Sequence, residues 1–183
     1  MAAITQNYYA GIGSRDTPAD ICQQMTAIAQ ALSEQNYILR SGHADGADLA
    51  FERGAQGKAQ IWLPWKGFNK SGEDEFDQTT HNTPMTNWMA TKIASEFHPN
   101  WHACSDAAKK MHVRNVYQVL GPGMGRVSQE TMSKFVICWT PEGKAGGGTG
   151  QAIRIANGYK IPVFDLGKPT GWDELVEFGR DLL

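Results

Sequence analysis

Three short segments of the 183-residue chain bring glycine together with hydroxyl and charged side chains at spacings that allow phosphate chemistry. The first, Gly11-Ile12-Gly13-Ser14-Arg15, follows an apolar run. Its glycines would let the backbone approach a phosphate, and a helix starting just beyond would offer free N–H groups and a positive dipole end. Ser14 adds a hydrogen-bond donor and Arg15 a bidentate anion contact. The same residues also suit an ordinary tight turn with a solvent-facing arginine. The second, Ser41-Gly42-His43-Ala44-Asp45-Gly46-Ala47-Asp48, sets glycines four apart in a turn that hugs either a ligand or a neighbouring loop. Asp45 suits a helix cap and Asp48 the first turn of that helix, and each equally suits a ribose contact or a catalytic role. His43 is expected as a loop residue rather than a base.

Gly146-Gly147-Gly148-Thr149-Gly150 is the most specific of the three. Consecutive glycines between a strand and a helix carry an entropic cost that close approach to a ligand would explain, and a phosphate cradle is the natural candidate. No Gly-Lys-Ser/Thr ending follows, which disfavours ATP hydrolysis, and the first segment lacks the third glycine of the dinucleotide fingerprint. Other candidates are scattered. Glu142 could act as a base or hold a ribose hydroxyl, or simply face solvent. Trp65, at a strand's carboxyl end, offers a stacking surface. Lys110 and Arg114 share a helix face that is either a phosphate clamp or a solvated basic surface, and Arg114-Asn115 pairs two donors at one point. His98, His102, Cys104 and His112 follow no structural zinc spacing, so no metal is expected. No Ser/His/Asp triad is legible.

These residues need a scaffold. Tyr8 to Gly13, Tyr37 to Arg40, Ile61 to Leu63, Phe135 to Trp139 and Ile161 to Phe164 are predicted strands. Predicted helices begin near Pro18 and cover Ala47 to Ala55, about Thr86 to Glu96, Ser105 to Leu120, a stretch ending at Ala156, and Trp172 to Leu182. Trp65 to His81 has the composition of a mobile insertion, and Gly121 to Gly125 that of a glycine-rich loop. Such alternation predicts an α/β fold, a modified Rossmann arrangement with a doubly wound, mainly parallel sheet in the order 3-2-1-4-5. A single domain over 1–183 is expected, with a helical insertion at about 66–134 before the fourth core strand. Ligands of such sheets sit where the strand order reverses, here between the first strand and the Phe135 strand.

Composition narrows the partners. The net charge of −2 shows no global basic excess for nucleic acid. Three widely spaced cysteines argue for a reducing compartment, and the chain shows neither a signal peptide nor a membrane span, so a cytoplasmic location is expected.

Together, Tyr9–Arg15, Arg40–Asp48 and Gly146–Gly150 resemble the SLOG superfamily, which includes DNA-processing proteins of the DprA (Smf) type and LOG-type phosphoribohydrolases. The likeness is strongest to small, often phage-encoded DprA-like proteins. It covers the two ends of the chain and implies a Rossmann-type nucleotide-binding fold and a homodimer. The glutamate of the LOG pattern has no counterpart near Gly146–Arg154, so no catalytic residue is assigned. The leading expectation is a binder that senses or sequesters a nucleotide or nucleotide-derived molecule, a host immune signal in host cytoplasm if the chain is phage-encoded. The alternatives are a DprA-like single-stranded nucleic-acid binder in recombination, and an N-glycosidic nucleotide hydrolase using Glu142, Asp45 or Asp48.

Overall fold

The computed structural model describes residues 6–71, 84–123 and 131–180. Five strands, β1 (Asn7–Gly11), β2 (Tyr37–Ser41), β3 (Ala59–Ile61), β4 (Val136–Cys138) and β5 (Val163–Asp165), form one sheet in the order β3-β2-β1-β4-β5. Every pairing is parallel, with Tyr9 opposite Leu39, Gly11 opposite Ile137 and Ile137 opposite Phe164. This is the predicted Rossmann-like arrangement.

Side chains alternate across the sheet, so neighbours in one strand serve different layers. Tyr9, Leu39, Phe135, Ile137 and Phe164 pack with Met25 and Phe51 on one face. Those last two belong to α1 (Ala19–Glu34) and α2 (Ala47–Gly54), and α6 (Gly171–Arg180) adds Phe178 against Phe135. Ala10, Val136 and Cys138 face the other way, against α4 (Asp106–Leu120) and α5 (Gly147–Gly158). Here Val116, Tyr117, Leu120, Ala152 and Ile155 are fully buried, and α3 (Pro84–Glu96) adds Ala90 and Ala94. Helix α4 therefore covers the sheet itself, although the surrounding segment was expected as an insertion.

Several boundaries depart from the predicted ones. The third strand ends at Ile61 rather than Leu63, although Trp62 still donates its N–H to Ser41 at 2.8 Å. Leu63 turns instead into a small cluster with Ala44 and Phe68. Part of the expected mobile insertion is thus packed, and its remainder, 72–81, lies outside the described residues, as does 124–125 of the Gly121–Gly125 loop. Gly121 itself takes φ 72° and leaves no room for a Cβ against the Arg40 guanidinium at 2.6 Å. Arg40 is buried, stacks on Tyr8 and donates to Gln60 and the Thr131 carbonyl, so it clamps the sheet edge. Among the described residues no helix is long and apolar enough to cross a membrane.

Candidate functional site

A cleft of about 480 Å³ opens at the carboxyl ends of β1 and β4, the strand-order switch. Parallel strands send their outgoing loops in opposite directions there, which leaves a gap between them. Four segments line it: the turn after β1, the start of α2, one face of α4, and the loop from β4 into α5.

The β4–α5 connection supplies the floor. A buried carboxylate on β5 shapes it: Asp165 Oδ1 accepts from the Thr140 and Gly167 amides at 2.9 and 3.0 Å, and Oδ2 accepts from the Thr140 hydroxyl. The chain then passes through a short 3-10 turn, Pro141–Gly143, to Gly146 at the N-cap of α5. The glycine run is therefore not a loop before a helix, as expected; Gly147 to Gly150 are the helix's first turn. No side chain caps this end. Its first N–H groups have no partner within the helix, and they carry the positive end of the dipole. Asn115 on α4 holds the turn in place, donating to the Gly148 carbonyl at 3.0 Å.

The glycines expected to bind fall into two sets. A Cβ on Gly11 would lie 2.6 Å from Phe51, one on Gly13 2.6 Å from Ala47, and one on Gly46, at φ 79°, 2.6 Å from the Ser14 carbonyl. Gly42 faces Gln118 and Arg114 at under 3.0 Å, and Gly150 faces Ala145. These are packing glycines: Gly11, Gly13 and Gly46 let the β1 exit and the α2 start close on one another, Gly42 admits α4, and Gly150 admits the loop before its helix. Gly13 nevertheless lines the cleft as well. Gly146, Gly147 and Gly148 differ. Outside their immediate chain neighbours, no atom comes within 3.6 Å of a Cβ on any of them, and all three line the cleft.

Charged side chains approach from the rim and from beneath. Arg15 and Lys144 are exposed at the rim, with Asp16 beside Arg15. Ser14 folds its own turn, its Oγ accepting from the Asp16 amide at 3.1 Å. Beneath lie Arg114 and Asp48, both buried. Arg114 donates to the Gly42 carbonyl at 3.0 Å, and Asp48 accepts from the Ala44 amide at 3.3 Å. Burial raises the Asp48 carboxyl to about 6, with Arg114 pulling the other way. Burial likewise lowers the pKa of Arg114, against the opposing influence of Asp48. Arg114 Nε and both amide atoms of Gln118 are buried without a hydrogen-bond partner in the protein. Both residues line the cleft. Arg114 Nε and Gln118 Nε2 pack against Gly42, each under 3.0 Å from a Cβ placed there, so these atoms face the β2 exit.

Of the residues selected from sequence, the cleft gathers Gly13, Ser14, Arg15, Asp48, Arg114, Asn115, Gly146, Gly147, Gly148 and Thr149. Others lie elsewhere, each for a structural reason. Ser41 donates to the Gly11 carbonyl at 2.7 Å, tying β2 to β1 below the cleft, and Gly42 packs against Arg114. Asp45 is exposed and accepts from Asn69 at 3.0 Å. Trp65 stands edge-on to Phe68 away from the cleft, and Glu142 pairs with Lys144 at the surface. His43 pairs with Glu52 at 2.8 Å and takes no part. Sequence reasoning missed Gln118, Thr140 and Lys144. Gln118 sits four residues after Arg114 on the same helix face, a spacing that could have found it.

No known protein family matches the sequence, and no curated protein matches it either. A search of solved structures finds DNA processing protein A from Helicobacter pylori, a structure concerned with that protein's single-stranded DNA binding mode. It is 18% identical, with a TM-score of 0.49 over 95% of this chain and 73% of that one. The chemistry of the cleft stands on the residues above.

Proposed function

We propose that the cleft binds the phosphate of a nucleotide or nucleotide-derived molecule, and that the protein acts as a sensor or sequestering binder. One observation carries this reading: an uncapped helix start whose first glycines leave room for a ligand against the backbone, in a cleft that Arg15 also lines. Backbone N–H groups and a dipole end attract an anion there, Arg15 adds mobile positive charge at the rim, Lys144 stands beside it in its pair with Glu142, and Arg114 adds a buried positive charge beneath. The resemblance of the three glycine segments to SLOG proteins agrees with it. Asp48 is the one expected acid that lines the cleft, since Asp45 and Glu142 are engaged at the surface. A glycosidic hydrolase would have to rely on it.

The direct test is mass spectrometry of small molecules released on denaturing the purified protein, followed by calorimetry with the compound found. Arg15→Ala should weaken binding about 10- to 100-fold, the worth of a charge-assisted hydrogen bond. Gly148→Asp should abolish it by placing a carboxylate where the phosphate sits, without unfolding the chain, because a Cβ has space there. Full affinity in both variants would overturn the assignment. Release of free base from the ligand on incubation would instead make the protein a hydrolase, and preferential binding of single-stranded oligonucleotide would make it a nucleic-acid binder.

A further inference from the structure

A second cluster of polar side chains lies outside the cleft, where the α3–α4 connection folds back onto α4. His98 and Cys104 belong to that connection and His112 to α4. One ligand-type atom from each falls within 4.8 Å of the others. We propose that His98, Cys104 and His112 form a three-ligand site for a zinc-like divalent transition metal, with its remaining position open to solvent.

The ligand set suits such an ion: two imidazoles and one thiolate are borderline-soft donors of the kind zinc takes. With metal–nitrogen and metal–sulfur bonds of ordinary length, tetrahedral ligands stand roughly 3.3–3.6 Å apart. Cys104 Sγ already lies 3.6 and 3.7 Å from the two ring nitrogens of His98. A separation of 4.8 Å would need to close by about 1.2–1.5 Å to reach that range, a matter of side-chain rotation.

The surroundings orient one ligand in advance. Gln151 on α5 donates its amide N–H to the Ala94 carbonyl at 3.0 Å, which fixes its Oε1 as an acceptor. That oxygen lies 3.1 Å from His112 Nδ1, so Nδ1 carries the proton and Nε2 keeps its lone pair. A metal-bound histidine normally donates its other N–H to an outer-shell acceptor in this way. Trp101 flanks both rings, its centroid 6.2 Å from His98 and 6.4 Å from His112, and forms an apolar wall. On binding, the Cys104 thiol gives its proton to solvent, and its contact with the Asn100 carbonyl at 3.5 Å is lost. His98 Nδ1 accepts from the Asn100 amide at 3.1 Å; Asn100 is exposed, and water can replace that bond if the ring turns.

The fold would gain a tie between the α3–α4 connection and α4. Gln151 Oε1 also accepts from Asn115 at 3.0 Å, and Asn115 holds Gly148. The metal would therefore brace the helix pair that carries the cleft, although its ligands are distinct from those that line it.

Cobalt(II), added to full-length protein after reduction and chelation, tests the site. The expected result is one ion per chain with a thiolate-to-cobalt charge-transfer absorption, and a Tm that rises when zinc is added. Cys104→Ser should remove the absorption and weaken zinc binding at least about 100-fold, beyond the 10- to 100-fold of outer-shell changes. Cys22→Ser should change neither. His98→Ala, at a half-buried position, repeats the test should the serine variant misfold. No absorption in the wild type, or one that survives Cys104→Ser or disappears with Cys22→Ser, would overturn the proposal.

Discussion

Asp48 and Arg114 are unusual residues to bury, and their value lies in what they do to each other. Desolvation disfavours both charges, while each stabilises its partner's. For Asp48 desolvation dominates, and its carboxyl titrates near 6 instead of its ordinary 3.8. A carboxyl whose folded pKa is raised contributes stability below its unfolded pKa and loses it as pH rises through the folded one. The penalty therefore develops between about pH 4 and pH 6, and two pKa units correspond to roughly 3 kcal/mol. Asp48→Asn removes the titration. Urea unfolding should show this variant gaining on the wild type by up to roughly 3 kcal/mol between pH 4 and pH 7. Parallel stability profiles for the two proteins would show that Asp48 is not desolvated.

At the scale of elements, glycine performs two different tasks within a few ångströms. At Gly13 it lets the β1 exit lie against the first residue of α2, where a Cβ would stand 2.6 Å from that of Ala47. Neither partner is a flexible side chain, so Gly13→Ala must push the turn and helix apart, at a cost of about 1–3 kcal/mol. At Gly148 a Cβ meets only Asn115 Nδ2 at 3.7 Å, and alanine favours a helix over glycine by up to about 1 kcal/mol. Thermal unfolding should thus separate the pair: Gly13→Ala lowers Tm, while Gly148→Ala leaves it unchanged or raises it. Ligand affinity should move the other way for Gly148→Ala, whose methyl group intrudes on the phosphate position. Stability loss in both would mean that the α5 glycines serve the fold alone.

At the scale of the whole molecule, the strand order places the cleft, and a local charge pattern gives it a sign. The chain carries a net charge of −2, yet Arg15, Arg114 and Lys144 gather around one opening, with Asp16 and Asp48 opposing them and Glu142 paired with Lys144. Three cations can neutralise at most three phosphates. If oligonucleotides bind through the cleft, log affinity against log salt should fall with a slope no steeper than about −2, from roughly 0.7 per phosphate on single strands. Fluorescence anisotropy from low to moderate salt measures it. A markedly steeper slope would require a nucleic-acid path extending well beyond these residues.

The sequence by itself determined the sheet. Its apolar runs alternate with helical periodicity, and their glycine-marked ends predict both the 3-2-1-4-5 order and the switch point, because burying such elements leaves few parallel topologies. It also supplied most of the cleft, since the β1 turn and the glycine run are each local in sequence. What only the tertiary structure decided depends on contacts between distant segments. Whether a glycine packs or opens is set by its neighbour across the fold: Phe51 for Gly11, Ala47 for Gly13, and no close chain atom for Gly147. Ser41 became a strand tie through the Gly11 carbonyl at the end of β1, and Asp48 a raised carboxyl through its burial beneath the cleft, against the pull of Arg114 on α4. His98, Cys104 and His112 match no zinc spacing because a helix turn and a folded connection, rather than a short hairpin, bring them together. Side-chain spacing along a chain is informative only where the backbone between them is regular, and here it is not.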